Sequence, residues 1–357
     1  MSTAGQEEPD LRSIYHASGP WTGQTLYVAA HLGLADLLDD DPRGIGDIAK
    51  ATASDEDALY RFCRALTALG MLAEHPGRSF TLRQAGRALR RDAADGFRDG
   101  VLLQSGAVFR AWADVLHTVR TGRPAFDHAL GMDYFEFLAA NPEEARVFNR
   151  AMGATMPAAI AALEHYAFGT CATVVDVGGG DGRLLASVLS RHPGMHGVLQ
   201  DLPGTVSQAG ENLSGVADRC TLVGESFFDA VATGGDVYIL SRVLHDWDDD
   251  NAGRILRRVR EAMPAHGRLI LVESVLRPAD GDLRSVLGDL LMLVVLGGRE
   301  RTESEWAELL ESAGFTMRQV WDDPGLATTR GHSVIEAVAR AEADRPDTAH
   351  SSPPKAA

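Results

Sequence analysis

A chain of 357 residues, 45% hydrophobic and 24% charged, has room for two domains, each burying its own core. The formal net charge of −16 argues against a nucleic-acid partner, which needs clustered Lys and Arg, and against anionic membranes. Three scattered cysteines (Cys63, Cys171, Cys220) with no CxxC pair, a polar acidic start and no long apolar run exclude a disulfide framework, a zinc site or a membrane span, and point to a cytoplasmic protein.

In chain order, residues 1–10 read as disordered, as does the proline- and serine-rich tail 342–357. Leu26, Val28, Ala29, Leu32, Leu34, Leu37 and Leu38 recur at helical spacing, and 45–50 reads as a second short helix. Ser54 stands as the N-cap of a third, whose buried stripe is Leu59, Phe62, Leu66 and Leu69 and whose C-cap is Gly70. A hairpin follows over 71–82, turning at Pro76-Gly77, so residues 11–100 have the pattern of a winged helix. The third helix opens on Asp55, Glu56 and Asp57, which repel phosphate. This favours a structural or dimerising module over a DNA-binding regulator. Residues 101–168 read as a helical linker rich in large apolar groups. Phe109, Trp112, Phe148, Met152 and Met156 can serve as core or as the wall of a flat apolar substrate site. Over 169–341 the rhythm becomes α/β. Strands fall at 173–177, 195–200, 220–223, 236–240, 268–273, 315–320 and 333–339, and helices at 184–191, 206–212, 251–263 and 303–313. The spacing predicts a doubly wound, Rossmann-like domain.

Its first strand, Thr173-Val-Val-Asp-Val, breaks into Gly178, Gly179, Gly180 and Gly182 where a helix should begin, which lets the backbone turn sharply and approach a ligand. The third position of a dinucleotide fingerprint is Arg183 instead of glycine, so a dinucleotide is disfavoured. Asp201, closing the next strand, suits a ribose hydroxyl.

Asp176-Val-Gly-Gly-Gly-Asp-Gly, Gln200-Asp-Leu-Pro, Gly224-Glu-Ser-Phe-Phe, Leu244-His-Asp-Trp and Gly297-Gly-Arg-Glu-Arg-Thr occur in that order. Together they resemble the class I S-adenosylmethionine-dependent O-methyltransferases of the plant caffeate and bacterial polyketide-tailoring type, over residues 12–340. The resemblance implies S-adenosylmethionine as cofactor, a homodimer built on the N-terminal module, and a phenolic hydroxyl of a polycyclic aromatic natural product as acceptor. It places Gly178 against the methionine portion, Asp201 on the ribose, and Glu225 and Ser226 at the adenine, where the plant enzymes have Asp and Met; Gly180 also belongs to the cofactor site. Ser241 stands where those enzymes have a lysine, so Ser241 or Arg242 substitutes for it. Arg146 resembles an arginine that reaches the cofactor carboxylate, with Arg150 as its competitor.

His245 matches the family's catalytic base, with Glu273 and Glu300 as the carboxylates that orient it and Asp246 beside it facing substrate. The chemistry suits the position: a phenol of pKa about 10 is a poor nucleophile until its proton leaves, and a neutral imidazole of pKa about 6.5 can accept that proton. The acidic run Asp246, Asp248, Asp249 and Asp250 reads as a helix start and not as a metal site; no metal is expected. Some bacterial relatives keep the cofactor site yet hydroxylate or decarboxylate, which stands as the alternative reaction.

Overall fold

A computed structural model describes residues 19–93, 96–164, 166–277, 283–322 and 332–340. The two ends expected to be disordered, 1–10 and 342–357, lie outside the described residues. The chain divides into two compact units, one from residues up to 113 with 135–154, the other from 114–134 with 155 onward.

In the first unit, helices Trp21–Leu32, Leu34–Leu37, Ile45–Thr52 and Glu56–Ala68 surround a small antiparallel sheet. That sheet holds β1 (Arg43–Gly44), β2 (Leu72–His75) and β3 (Ser79–Leu82) in the order β1-β3-β2, so the module expected to be helical apart from its hairpin carries a short third strand as well. Ala30, Leu34, Ile48, Leu59, Cys63, Leu66 and Phe80 form its core. Asp55, not Ser54, caps the third helix: its carboxylate accepts Ala58 N–H at 2.8 Å, while Ser54 accepts the hydroxyl of Thr52. Both residue types cap helices; here it is the Asp55 carboxylate that faces the free N–H groups of the first turn. Helix Phe97–Ser105 packs on Trp21–Leu32. The stretch expected as one linker is therefore shared between the units.

The second unit is a seven-stranded sheet of order β11-β12-β8-β7-β4-β5-β6. Its strands are β4 (Thr173–Val177), β5 (His196–Asp201), β6 (Cys220–Gly224), β7 (Val237–Ser241), β8 (Arg268–Glu273), β11 (Phe315–Asp322) and β12 (Ser333–Ala339). Two residues each from β9 (Val275–Leu276) and β10 (Arg301–Thr302) pair in parallel beside it. Strands β4 to β8 of the large sheet are parallel, and β12 runs antiparallel between β8 and β11. Apolar residues fill both faces, as buried parallel strands require. Val175, Val177, Tyr238, Leu240, Leu269 and Leu271 meet Ile255, Leu256, Val259, Trp306 and Leu310 from helices Asp249–Ala262 and Glu303–Ser312. Val174, Leu199, Ile239, Ile270 and Val272 meet Leu184, Leu185, Val188 and Leu189 from helix Arg183–Arg191. The helix expected over 206–212 is instead two single turns, Pro203–Val206 and Gly210–Leu213. Helix Leu283–Val295 went unread in the sequence.

The chain leaves β4 for β5 and β6 on one side, then crosses back to place β7 on the other. The carboxyl ends of β4 and β7 therefore flank the topological switch point, where open α/β sheets bind ligands. Gln200, buried at the end of β5, shapes this edge. Its amide donates to Ala230 O at 2.7 Å and Glu225 O at 3.3 Å and accepts Ala232 N–H at 2.8 Å, which ties down the loop after β6. Gln200→Ala leaves those loop groups unsatisfied and is expected to lower unfolding free energy by about 1–3 kcal/mol. Urea denaturation reads this directly, and an unchanged midpoint would remove Gln200 from that role.

Candidate active site

The glycine turn at the end of β4 is set by its own backbone. Gly178, Gly180 and Gly182 have φ of +70°, +59° and +77°, the left-handed region that favours glycine. Gly178 N–H bonds to Gln200 O at 2.8 Å, and Gly180 N–H bonds to the Asp201 carboxylate at 2.9 Å. A Cβ on Gly178 would lie 2.8 Å from the Val243 side chain, so the turn runs hard against the segment after β7. A Cβ on Gly180 would meet only open space. Asp176, beneath the turn, is fully buried with no hydrogen-bond partner among the described residues on either carboxylate oxygen, and Ser241 Oγ at the end of β7 is likewise buried and unpartnered among them. Burial, reinforced by the charges of Asp201 and Asp181, pushes Asp176 up to about 7. Unsatisfied buried acceptors beside an open glycine turn suit a cationic, hydrogen-bonding cofactor. Glu225 stands exposed after β6, and Ser226 accepts Phe228 N–H at 3.2 Å.

Past the end of β7, Arg242 takes a φ of +56°. Such a conformation costs a non-glycine residue about 1–3 kcal/mol and persists only where the surroundings over-determine it. They do so here: Arg242 N–H bonds to Val272 O, its guanidinium reaches the Thr155 hydroxyl, and Glu273 Oε1 accepts Val243 N–H at 3.1 Å and Leu244 N–H at 2.9 Å. The short turn Leu244–Asp246 then presents His245. Its Nδ1 lies 3.1 Å from Glu273 Oε2 and 3.4 Å from Glu300 Oε1, within ion-pair distance but off the line that a hydrogen bond needs. Its Nε2 lies 3.3 Å from Asp246 Oδ1.

Burial alone would lower the imidazole pKa; the charges of Glu273 and Asp246, with Glu300, outweigh it and hold His245 well above the usual 6.5. Burial likewise opposes ionisation of Glu273, yet His245 and the two N–H groups keep it below the ordinary carboxylate value. Burial pushes Asp246 up to about 6 against the pull of the imidazole. The stabilisation from Glu273 is present above its unfolded pKa and lost as pH falls through the lowered one. That from His245 is present below 6.5 and lost as pH rises through the raised one. The pair is thus intact around neutral pH.

The segment after helix Leu283–Val295 closes the site. Asp289 on that helix accepts Glu300 N–H at 2.8 Å, and Arg299 N–H bonds to His245 O at 2.9 Å. A Cβ on Gly298 would fall 2.1 Å from His245 O and 2.5 Å from the Asp246 carbonyl carbon, so only glycine lets this strand of chain lie against the histidine turn. Trp247 packs edge-on to Phe228 at 4.7 Å and to Phe227 at 6.2 Å, joining the loop after β6 to the histidine turn. Gln200, Gly298 and Phe227 stand in the quoted motifs and Asp289 outside them, and none was assigned a supporting role from sequence, because the partner of each is distant in the chain.

Among the described residues, His245, Glu273 and Glu300 are grouped closely enough to hold a metal ion, their ligating atoms lying within 4.8 Å of one another. Asp248, from the acidic run, caps helix Asp249–Ala262 by accepting Asn251 N–H, as expected of a helix start. The remaining residues singled out in the sequence divide between the units. Phe109 and Trp112 lie on helix Ala107–Ala113, and Phe148 and Met152 on helix Pro142–Ala162, all within the first unit; Met156, further along the latter helix, packs half-buried against the sheet's core. Arg146 pairs with Glu143 at 2.7 Å on an exposed surface, and its competitor Arg150 pairs with Asp99 at 2.9 Å.

Comparison with known proteins matches residues 112–316 to an O-methyltransferase domain family and residues 14–92 to an O-methyltransferase dimerisation domain family. The chain is 42% identical over 323 residues to phenazine O-methyltransferase PhzM of Lysobacter antibioticus, covering 90% of this chain and 93% of that one. It is 41% identical over 342 residues to O-demethylpuromycin-O-methyltransferase of Streptomyces alboniger, covering 93% and 89%. The crystal structure of the O-methyltransferase NcsB1 from neocarzinostatin biosynthesis, in complex with S-adenosylmethionine and 2-hydroxy-5-methyl naphthoic acid, superposes with a TM-score of 0.81 at 32% identity, covering 93% of this chain and 99% of that one.

Gly298→Ala is expected to displace the His245 turn and lower turnover by about 100-fold, since misplacement of catalytic groups by about 1 Å has effects of that size. Steady-state kinetics on the folded variant, checked by circular dichroism, tests this. Wild-type turnover would mean the close approach is dispensable.

Proposed function

The chain belongs to the O-methyltransferase family that carries an N-terminal dimerisation domain, and from that membership we propose that it methylates a phenolic hydroxyl of a polycyclic aromatic acceptor, as a homodimer, with His245 as general base. It is an S-adenosylmethionine-dependent O-methyltransferase. When bound, S-adenosylmethionine supplies a methyl group on a sulfonium sulfur, open to in-line displacement by oxygen. The buried unpartnered Asp176 and Ser241 and the open side of Gly180 fit that cationic cofactor. Asp201, Glu225 and Ser226 would hold its adenosine half.

What carries the reading of His245 is its placement at the carboxyl end of β7, with Nδ1 turned to two buried glutamates. That leaves Nε2 to accept the acceptor's proton, with Asp246 beside it to bind the same hydroxyl. As the proton arrives, Glu273 and Glu300 stabilise the imidazolium. An elevated imidazole pKa brings the base closer to a phenol, which favours the transfer once the ring is neutral. The aromatic acceptor is supported by the phenazine and naphthoic acid named for the relatives.

His245→Ala is expected to lower kcat by about 10²–10⁴-fold while S-adenosylmethionine binding by calorimetry stays intact. Near wild-type turnover on an un-ionised phenol would reject the base. Because only the neutral ring can act, kcat should rise with pH through an apparent pKa above 6.5. Glu273→Gln removes the strongest attraction for the imidazolium, so the limb should move toward acid. A product heavier by CH₂, not by oxygen, separates methylation from hydroxylation by mass spectrometry.

We also read the His245–Glu273–Glu300 group as proton machinery and not as a metal site, because Glu273 Oε1 already accepts two backbone N–H groups. Turnover should survive EDTA; a loss restored by magnesium would overturn this.

A further inference from the structure

The proposed chemistry uses Glu300 and leaves its neighbour Arg301 without a task. Arg301 is fully buried, an expensive place for a charge unless it is well paired. Its Nε donates to Asp249 Oδ1 at 2.9 Å. Its Nη1 donates to Leu244 O at 3.1 Å and Arg299 O at 3.3 Å, and Nη2 to Trp247 O at 3.0 Å. The guanidinium lies over the Trp306 ring, 5.0 Å from its centroid. Asp249, its counter-charge, is 56% exposed, so pairing with Asp249 alone would not require the arginine to be buried.

What lies inward are the two carbonyls that bracket His245 and Asp246. The opposite, N–H side of the same turn is held by Glu273 Oε1. The turn is thus gripped from both sides, by a carboxylate on its donors and a guanidinium on its acceptors. We propose that Arg301 is a positioning residue for methyl transfer, its planar fork holding the Leu244 and Trp247 carbonyls so that the His245 ring keeps its place between Glu273 and Glu300. The proposal rests on the reading of His245 as the base. Lysine cannot replace this fork: it keeps the charge but lacks the planar set of donors that reaches both carbonyls at once.

The test uses the full-length protein and measures kcat, KM for S-adenosylmethionine, the pH profile of kcat and the melting temperature for Arg301→Lys. Charged groups near His245 are Glu273 at the end of β8, Glu300 ahead of β10, Asp246 next in the chain and Arg242 before the turn. If the turn loosens, the ring leaves its carboxylates and the acidic limb moves toward about 6.5. Expected are a fall in kcat of at least about tenfold, a KM within about twofold of wild type, and that acidward shift. A lower melting temperature with kcat per folded site and the limb both unchanged would mean a purely structural residue and overturn the proposal. Should Arg301→Lys fail to fold, Asp249→Asn loosens the same guanidinium from an exposed position. It should lower kcat about two- to fivefold with a smaller shift in the same direction, and an unchanged kcat and limb there would likewise overturn the role. A wild-type profile with no limb above pH 6.5 overturns the base reading and this proposal together. A normal wild-type limb that persists unshifted in Arg301→Lys overturns the positioning role alone.

Discussion

The buried ion pair between His245 and Glu273 is the constraint on which the rest of this site depends. Two carboxylates and an imidazole share a space from which water is largely excluded, and each charge is tolerable there only while its partners stay in place. The surrounding architecture supplies that constancy. Glu273 ends a central strand, His245 follows the neighbouring one, and Glu300 is anchored through its backbone by Asp289. Arg242 accepts a left-handed backbone so that the chain can turn from the sheet into the histidine turn at once, without a longer and looser connection.

The same few residues join the glycine turn to the histidine turn. Gly178 lies against Val243, and Phe227 and Phe228 lie against Trp247. Gln200 holds the loop that carries these phenylalanines. Methyl transfer demands that donor, acceptor and base be aligned, and much of the rate available to such a reaction comes from holding the reactants in register. Strands β4 and β7 are adjacent only because the chain reverses direction across the sheet, so that alignment is a property of the topology.

Much of this was legible in the amino-acid order. Runs such as Val174-Val175-Asp176-Val177 and Leu269-Ile270-Leu271-Val272 have one stable reading between helices, as strands buried on both faces, and they fall where expected to within a residue or two. Helix Leu283–Val295 was missed because Leu290, Leu291, Met292, Leu293, Val294 and Val295 form an apolar run without clear helical period. The stretch 206–212 has helical spacing, yet the chain breaks there into single turns, since local propensity is weak against tertiary demands. Ser54 and Asp55 are both capping types, and only the backbone decides which side chain faces the free N–H groups.

The order of residues by itself determined the α/β domain, the glycine turn that departs from a dinucleotide fingerprint, the acidic net charge, and His245, Glu273 and Glu300 as groups whose chemistry belongs together through their resemblance to a family. These follow from local rules: side-chain period, the conformational freedom of glycine, and residue types met in a known order. Only the tertiary structure decided what holds the histidine in place. The 2.1 Å approach that bars a side chain from Gly298, the Arg301 fork on two carbonyls and the Glu273 grip on two N–H groups all join segments far apart in the chain. Gly298 and Arg301 fall inside a quoted motif and Glu273 was expected beside His245, but no local pattern says which backbone groups each would meet; those contacts exist only once strand order has brought the partners within hydrogen-bonding distance.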